Sequence, residues 1–329
     1  MKVLIVCMSR AVFAALFPAL LAGNVTAQAW KPEKATEMVV INAPGGGSDR
    51  IARMMSTVMR EKNIIGVPLN VVNKPGGGGN IAYTYLSQRP ADGHYLSLGG
   101  KSMLTGHIAG RGLNYTEFTT VAHLFGEYIS VVVRPESPIK GGRELIERLK
   151  KDPGALSFGI ATSLGNPNHQ GIAAALKFAG VDIRKTRNVI FQSGGEATTA
   201  LLGGHVDAVP ITAAFAASMA RSGQVRVIAV TSPQRLPGVL SDVPTWREQG
   251  FDAVVSNWRN VIGPKGMSDA QVTFWEEALR RMTESEEWKK ELEVNFWSSE
   301  FMRSAEARKV MDRDYAVLRT FMIELGLAK

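Results

Sequence analysis

The chain has 329 residues, of which 45% are hydrophobic and 21% are charged, so it can bury a core in one or two domains and is neither disordered nor fibrous. Its 38 Lys and Arg against 30 Asp and Glu give a formal charge of +8, a balance that would suit a nucleic-acid partner. The single cysteine, Cys7, excludes a disulfide within the chain and a zinc site built from cysteines.

The first 29 residues have the pattern of a secretory signal peptide. Lys2 and Arg10 supply positive charge, an apolar run covers 11–22, and residues 27–29 (Ala-Gln-Ala) match a cleavage site. That apolar run is too short to span about 30 Å of hydrocarbon, which disfavours a membrane anchor. Cleavage after residue 29 would leave 300 residues with a charge of +6 and no cysteine. We therefore expect a periplasmic protein, and the export and scattered basic residues argue against nucleic acid as a partner.

Strand-like runs then alternate with glycine turns and helical patterns. After the first strand, apolar residues from Ile51 to Met59 recur on one face of a helix, and the chain beyond Val230 is predicted to be helical, with capping boxes at Ser268 and Thr283. Alternating strands and helices indicate an α/β architecture with largely parallel sheets. The predicted strands cover 38–41, 69–72, 95–98, 130–133, 156–160, 189–191, 207–212 and 225–230.

Glycine runs follow the first two of these strands, at 44–49 (Pro-Gly-Gly-Gly-Ser-Asp) and 76–80 (Gly-Gly-Gly-Gly-Asn), and a Gly-Gly-Lys-Ser turn at 99–102 follows the third. Glycine lets backbone N–H groups approach a ligand closely, and the start of a helix favours an anion. The carboxyl ends of parallel strands meet at one edge of a sheet, where open α/β sheets bind ligands. The pattern predicts an anion site, with simple tight turns as the alternative.

Motifs for other chemistry are incomplete. Gly77-x-Gly79-x-x-Ala82 fits a loose dinucleotide fingerprint but lacks the acidic residue after the next strand, and Tyr95 stands where a phosphate-binding loop needs its first glycine. Ser137-x-x-Lys140 has no supporting motif, and no Gly-x-Ser-x-Gly elbow occurs. The five histidines lack metal-site spacing. We therefore expect no cofactor, no metal and no catalysis.

Several segments together resemble one known family. Residues 39–49 (Val-Val-Ile-Asn-Ala-Pro-Gly-Gly-Gly-Ser-Asp), 73–82, 201–207 (Leu-Leu-Gly-Gly-His-Val-Asp) and 242–250 are similar to the TctC/Bug family of extracytoplasmic solute-binding proteins. The resemblance runs in order along essentially the whole mature chain. It is closest to the tricarboxylate-binding branch.

This resemblance implies a two-lobed periplasmic binding protein of type II-like α/β fold, with mixed, mostly parallel sheets and a ligand cleft between the lobes. The first lobe would comprise 30–129 plus 259–329, and the second 130–258. The protein would be a monomer that captures a small organic acid anion, a di- or tricarboxylate such as citrate. It would deliver this solute to the membrane components of a tripartite tricarboxylate transporter.

The resemblance also implies a ligand site between the lobes. The two glycine loops and the Ser48 hydroxyl would hold one carboxylate, while Ser163 and Thr212 would face it from the second lobe. Arg259 would clamp a carboxylate or pair with an acid of the protein. The predicted ligand-binding residues are Pro44, Gly45, Gly46, Gly47, Ser48, Asp49, Gly77, Gly78, Gly79, Asn80, Ser102, Ser163, Thr212 and Arg259.

Two other functions stay open from the sequence. One is a sensor subunit that presents its solute to a membrane receptor, and the other is an exported enzyme, of hydrolase type or nucleotide-dependent. Ile211 stands where many members of the family carry Asp, which disfavours an amino-acid ligand whose ammonium group would need that acid.

Overall fold

The long strand β4 (Phe118–Val133) belongs to two groups of strands and so connects the two halves of the molecule. In this computed structural model, which describes residues 30–328, the first part of β4 pairs antiparallel with β9 (Ser256–Pro264) and β10 (Trp297–Arg303). Its last part pairs antiparallel with β7 (Val209–Thr212) and β8 (Arg226–Val230). The fold is a two-lobed α/β arrangement with mixed sheets, as predicted.

The remaining elements follow the alternation seen in the sequence. The other strands are β1 (Thr36–Val40), β2 (Leu69–Asn73), β3 (Tyr95–Gly100), β5 (Ser157–Ala161) and β6 (Arg187–Phe191). The helices are α1 (Gly47–Glu61), α2 (Asn80–Ser87), α3 (Lys101–Ile108), α4 (Gly142–Lys151), α5 (Pro167–Phe178), α6 (Gly194–Leu202), α7 (Ala213–Arg221), α8 (Asp269–Thr283), α9 (Glu286–Val294) and α10 (Ser304–Glu324). None of the helices between residues 30 and 328 combines the length and apolar character needed to cross a bilayer. The predicted signal peptide, 1–29, lies outside the described residues.

In the first lobe, β1 lies between β2 and β3 and pairs with both in parallel. Because these three strands point the same way, the glycine turns that follow them lie at one edge of the sheet. β3 continues the sheet by pairing antiparallel with β9. Helices α1, α8 and α9 cover the apolar face, and Met55, Trp275 and Trp288 are completely buried there.

In the second lobe, β5 and β6 form a parallel pair, while β7 and β8 lie against β4. Its main core is built around Phe158, Ile172 and Trp246. Helix α10 contacts both cores, because Met311 packs with first-lobe residues and Phe321 packs with second-lobe residues. β4 and α10 therefore link the lobes.

The structure differs from the sequence prediction in two respects. Antiparallel pairs outnumber parallel ones, five to three among the named strands of the described residues, so the sheets are not mostly parallel. In addition, β9 and β10 occupy a region predicted to be helical. The apolar alternation of β9 is weak because Asn257 and Asn260 are buried in it between neighbouring strands.

The two predicted capping boxes have different outcomes. The box at Ser268 is confirmed, since its side chain caps α8 and Gln271 bonds back to the Ser268 amide. The box at Thr283 is wrong, because Thr283 is the last residue of α8 and the side chain of Ser285 caps α9. A Ser or Thr near a helix start can cap only if the chain leaves the helical conformation at that residue, which tertiary packing decides here.

Candidate ligand site at the glycine loops

The second glycine loop has a backbone that only glycine adopts easily. Gly76, Gly77, Gly78 and Gly79 have φ angles of 119°, 57°, 65° and 103°. A Cβ at Gly76 would lie 2.7 Å from the Ile81 side chain, and one at Gly79 would lie 3.0 Å from the Tyr83 ring, whereas one at Gly78 would meet nothing within 4 Å. The loop therefore packs tightly at its ends and opens to space in the middle.

That space is a cavity of about 390 Å³, here called the first cavity, between the second glycine loop, α3 and the loop that joins β5 to α5. It contains five of the predicted ligand residues: Gly77, Gly78, Asn80, Ser102 and Ser163. The other residues that line it are Tyr83, Met103, Thr105, Gly106, Arg111, Leu113, Thr162 and Asn166. No carboxylate occurs among these described lining residues, and Arg111 is their one charged side chain.

Sequence reasoning missed Arg111. It is exposed and stands between Gly110 and Gly112, whose φ angles are 72° and 96°. A Cβ at Gly112 would lie only 2.0 Å from Asn80 Oδ1, so this segment packs directly against the start of α2. A lone arginine between two glycines after a helix was the available signal, but nothing in the sequence placed it beside the glycine loop.

The opposite wall is a strained turn. Thr162 has φ 61°, a left-handed conformation that costs a β-branched residue about 1–3 kcal/mol. The Thr162 amide donates to the Phe191 carbonyl (2.7 Å), and Asn166 Nδ2 donates to the Thr162 hydroxyl (3.0 Å). These bonds hold Thr162 and Ser163 against the first cavity.

A buried histidine, His169, also stabilises this turn. The Gly165 amide donates to His169 Nδ1 (3.0 Å), and the Asn166 side chain accepts from the His169 amide (2.8 Å). Burial lowers the pKa of His169 to about 4, so near neutral pH the ring is uncharged and Nδ1 can accept. Gly165 also contacts α10, since a Cβ there would lie 2.2 Å from Met322 Sδ.

In the first glycine loop, Asp49 shapes the loop through internal bonds. Its carboxylate pairs with Arg53 (2.9 Å) and accepts from the Gly45 amide (2.8 Å) and from Asn73 Nδ2 (2.9 Å). The bonds from Arg53, followed by those from Gly45 and Asn73, outweigh burial and lower the pKa of Asp49 to about 2. Two further amides have internal partners: Gly46 donates to the Ala43 carbonyl and Ser48 to Asn42 Oδ1, each at 3.0 Å.

The other predicted residues lie elsewhere. Gly47 and Thr212 line a second cavity of about 470 Å³, together with Arg50, Glu127 and Glu291. Arg259 pairs with Glu127, Nη2 to Oε2 at 2.8 Å, where β9 returns beside β4. The predicted ligand-binding residues therefore do not share one cavity. Those that line neither cavity are Pro44, Gly45, Gly46, Ser48, Asp49, Gly79 and Arg259.

Replacing Asp49 with Asn should lower the free energy of unfolding at pH 7 by about 2 kcal/mol, because the neutral amide loses the charge-assisted bonds to Arg53 and Gly45. The pKa of Asp49 is lowered from 3.8 to about 2, so its contribution is present above pH 3.8 and is lost as the pH falls through 2. Urea unfolding at pH 7 and pH 2 should show the deficit shrinking at the lower pH. Asp252→Asn, which breaks an exposed pair with Arg247, is the control and should cost about 0.5 kcal/mol or less; equal losses in both variants would contradict the role of Asp49.

Comparison with known proteins gives the family. The TctC family, described as "Tripartite tricarboxylate transporter family receptor", matches residues 51–326. The chain is 27% identical to Protein BugT of Bordetella pertussis over 241 residues, which is 71% of this chain and 72% of that relative.

Solved structures share the fold. The Rhodopseudomonas palustris protein solved with adipate has a TM-score of 0.77 and 22% identity, over 90% of this chain and 99% of that one. MatC from Rhodopseudomonas palustris, solved with bound malate, has a TM-score of 0.65 and 24% identity, over 90% of this chain and 97% of that one. These structures show the fold, and the match over residues 51–326 shows that the chain belongs to the TctC family of solute-binding proteins, the receptors of tripartite tricarboxylate transporters.

Proposed function

We propose that this protein captures a small organic acid anion, a di- or tricarboxylate, in the first cavity and carries it to the membrane components of a tripartite tricarboxylate transporter. The observation that carries the proposal is the make-up of that cavity: glycine backbone, hydroxyl and amide groups, and Arg111, with no carboxylate among its described lining residues. Neutral donors and one cation attract an anion and still release it, as a carrier must. The protein would act in the periplasm, without catalysis, after removal of residues 1–29, and as a monomer.

Capture would close two lobes around the solute, the first comprising 30–129 plus 259–329 and the second 130–258. The first cavity supports this, because Gly78 and Ser102 come from one side and Ser163 from the other. A ligand that contacts both sides stabilises the closed arrangement by its differential affinity for that state. The crossing strands β4 and β9 would serve as the hinge.

A carboxylate ligand is further supported by the related structures that were solved with malate and with adipate. An amino acid fits less well. Its ammonium group would need an acidic partner, and the described residues that line the first cavity include none. Ile211, where such an acid would stand by resemblance, is buried in an apolar cluster with Val209 and Val132.

A thermal-shift screen of ligand-free protein tests the proposal. Malate, adipate and citrate should be compared with the matched amino acid glutamate at neutral pH. At least one of the three acids should stabilise the fold, by about 2.7 kcal/mol at a concentration of 100 Kd. If none of the acids stabilises a well-folded, ligand-free preparation, the proposal is wrong.

Gly78→Ala should separate the role of the glycine loop in binding from its role in folding. Both Gly78 and Gly223 have positive φ, 65° and 71°, and a Cβ added at either position would meet nothing within 4 Å, so alanine at either should cost a similar ~1 kcal/mol of stability. Of the two glycines, only Gly78 lines the first cavity. Calorimetric titration should therefore show affinity for the acid falling about tenfold in Gly78→Ala and unchanged in Gly223→Ala; equal affinities would place the ligand elsewhere.

A further inference from the structure

Tyr83 is one of the residues that line the first cavity, and its hydroxyl is unusual. It lies on α2, three residues after Asn80, and only 3% of its surface is exposed. Its hydroxyl is buried and has no hydrogen-bond partner within residues 30–328. Other tyrosine hydroxyls have partners: that of Tyr85 donates to Glu37 and that of Tyr115 to Asp312, each at 2.8 Å.

The ring cannot easily turn away from this position. It packs 5.8 Å from Phe118, centroid to centroid, and lies in an apolar cluster with Leu86 and Trp258. It also sits against Gly79, where a Cβ would come within 3.0 Å of the ring. A buried, unpaired hydroxyl destabilises a protein, and phenylalanine would fill the same space without that cost. The hydroxyl is therefore explained best by a partner that enters the cavity.

The surroundings indicate the chemistry of that partner. Burial raises the pKa of Tyr83 to about 12, despite the opposing positive charge of Arg259, so the phenol keeps its proton and acts as a donor near neutral pH. Arg259 Nε is likewise buried and without a partner among the described residues, although Nη2 is held by Glu127. Arg259 lines neither cavity and its charge is paired with Glu127, so the phenol is the deciding group. An unpaired donor beside a cavity whose described lining residues include no carboxylate calls for an oxygen acceptor supplied by the ligand.

We propose that Tyr83 recognises the ligand, its hydroxyl donating a hydrogen bond to a carboxylate oxygen of the bound organic acid. The inference rests on the proposed function and adds a specificity-determining side chain to it. Arg111 at the exposed part of the wall and Tyr83 at the buried part would then contact different oxygens of one acid.

Tyr83→Phe tests this proposal, because a hydroxyl with a purely structural role would not give the combination of stability and affinity that we expect. The melting temperature of the ligand-free variant should equal or exceed that of wild type, because a buried, unpaired group has been removed. Affinity should fall about tenfold or more for whichever of malate, adipate and citrate binds the wild-type protein. The matched control on the same helix is Tyr85→Phe, which loses the bond to Glu37 and should melt at a lower temperature with affinity unchanged.

Two results would overturn the inference: Tyr83→Phe binding the acid as tightly as wild type, or Tyr83→Phe melting as far below wild type as Tyr85→Phe does. If none of the three acids binds the wild-type protein, it is the proposed function that fails. The melting temperature of ligand-free Tyr83→Phe then decides the inference alone. A decrease would show a structural hydroxyl and overturn it, while an equal or higher value would support a donor that awaits a ligand.

Discussion

Replacing Arg111 with Gln is expected to weaken the binding of the organic acid about 30-fold, while the stability of the ligand-free protein stays within about 0.5 kcal/mol of wild type. The guanidinium is the one charged side chain among the described residues that line the first cavity. A hydrogen bond between two charged groups contributes about 2 kcal/mol, which corresponds to that loss of affinity. Because Arg111 is exposed, its removal leaves no buried group unpaired.

Calorimetric titration of wild type, Arg111→Gln and Arg111→Lys with malate or adipate would measure this. Lysine keeps the charge but loses the forked geometry, so its affinity should lie between the other two. Arg50→Gln is the matched control, since Arg50 lines the second cavity and its loss should leave affinity unchanged. Raising the salt concentration should weaken ligand binding by the wild-type protein more than binding by Arg111→Gln. If Arg50→Gln showed the larger loss, the ligand would belong in the second cavity.

The protein is expected to lose about 3 kcal/mol of stability between pH 6.5 and pH 4 through His169 alone. Burial lowers the pKa of His169 from 6.5 to about 4, so the unfolded chain takes up a proton in this interval and the native protein does not. The stability from the neutral ring is therefore fully present above pH 6.5 and falls as the pH drops towards 4. Protonation would also break the bond from the Gly165 amide that holds the wall of the first cavity.

His169→Asn is the informative variant, because its Oδ1 can accept from Gly165 but does not titrate in this range. In urea unfolding between pH 7 and pH 4.5, the free energy of unfolding of this variant should decline less steeply with falling pH than that of wild type. Lost packing against Phe321 should also lower it by about 1–2 kcal/mol at every pH. His205→Asn, at an exposed histidine, should keep the wild-type slope. If the stability of His169→Asn fell with pH as steeply as that of wild type, groups other than His169 would be responsible for the fall.

Local features of the sequence determined much of this fold. The glycine runs at 44–49 and 76–80 predicted turns because four consecutive positive φ angles admit little but glycine, and the structure has them at 76–79. The Ser268 capping box is equally local. Parallel β1, β2 and β3 then place the turns at one edge, which is why Gly77, Gly78 and Ser102 were found to line one cavity.

Tertiary structure decided which polar groups meet. Arg111 follows no motif and gains its place through Gly112 packing on Asn80, while Arg259 is engaged by Glu127, 132 residues away along the chain. Asp49, expected at the ligand, is surrounded by protein donors. Backbone conformation depends on near neighbours and can be inferred from residue type. The pairing of charges and the burial of a hydroxyl such as that of Tyr83 depend on distances that only the folded chain sets.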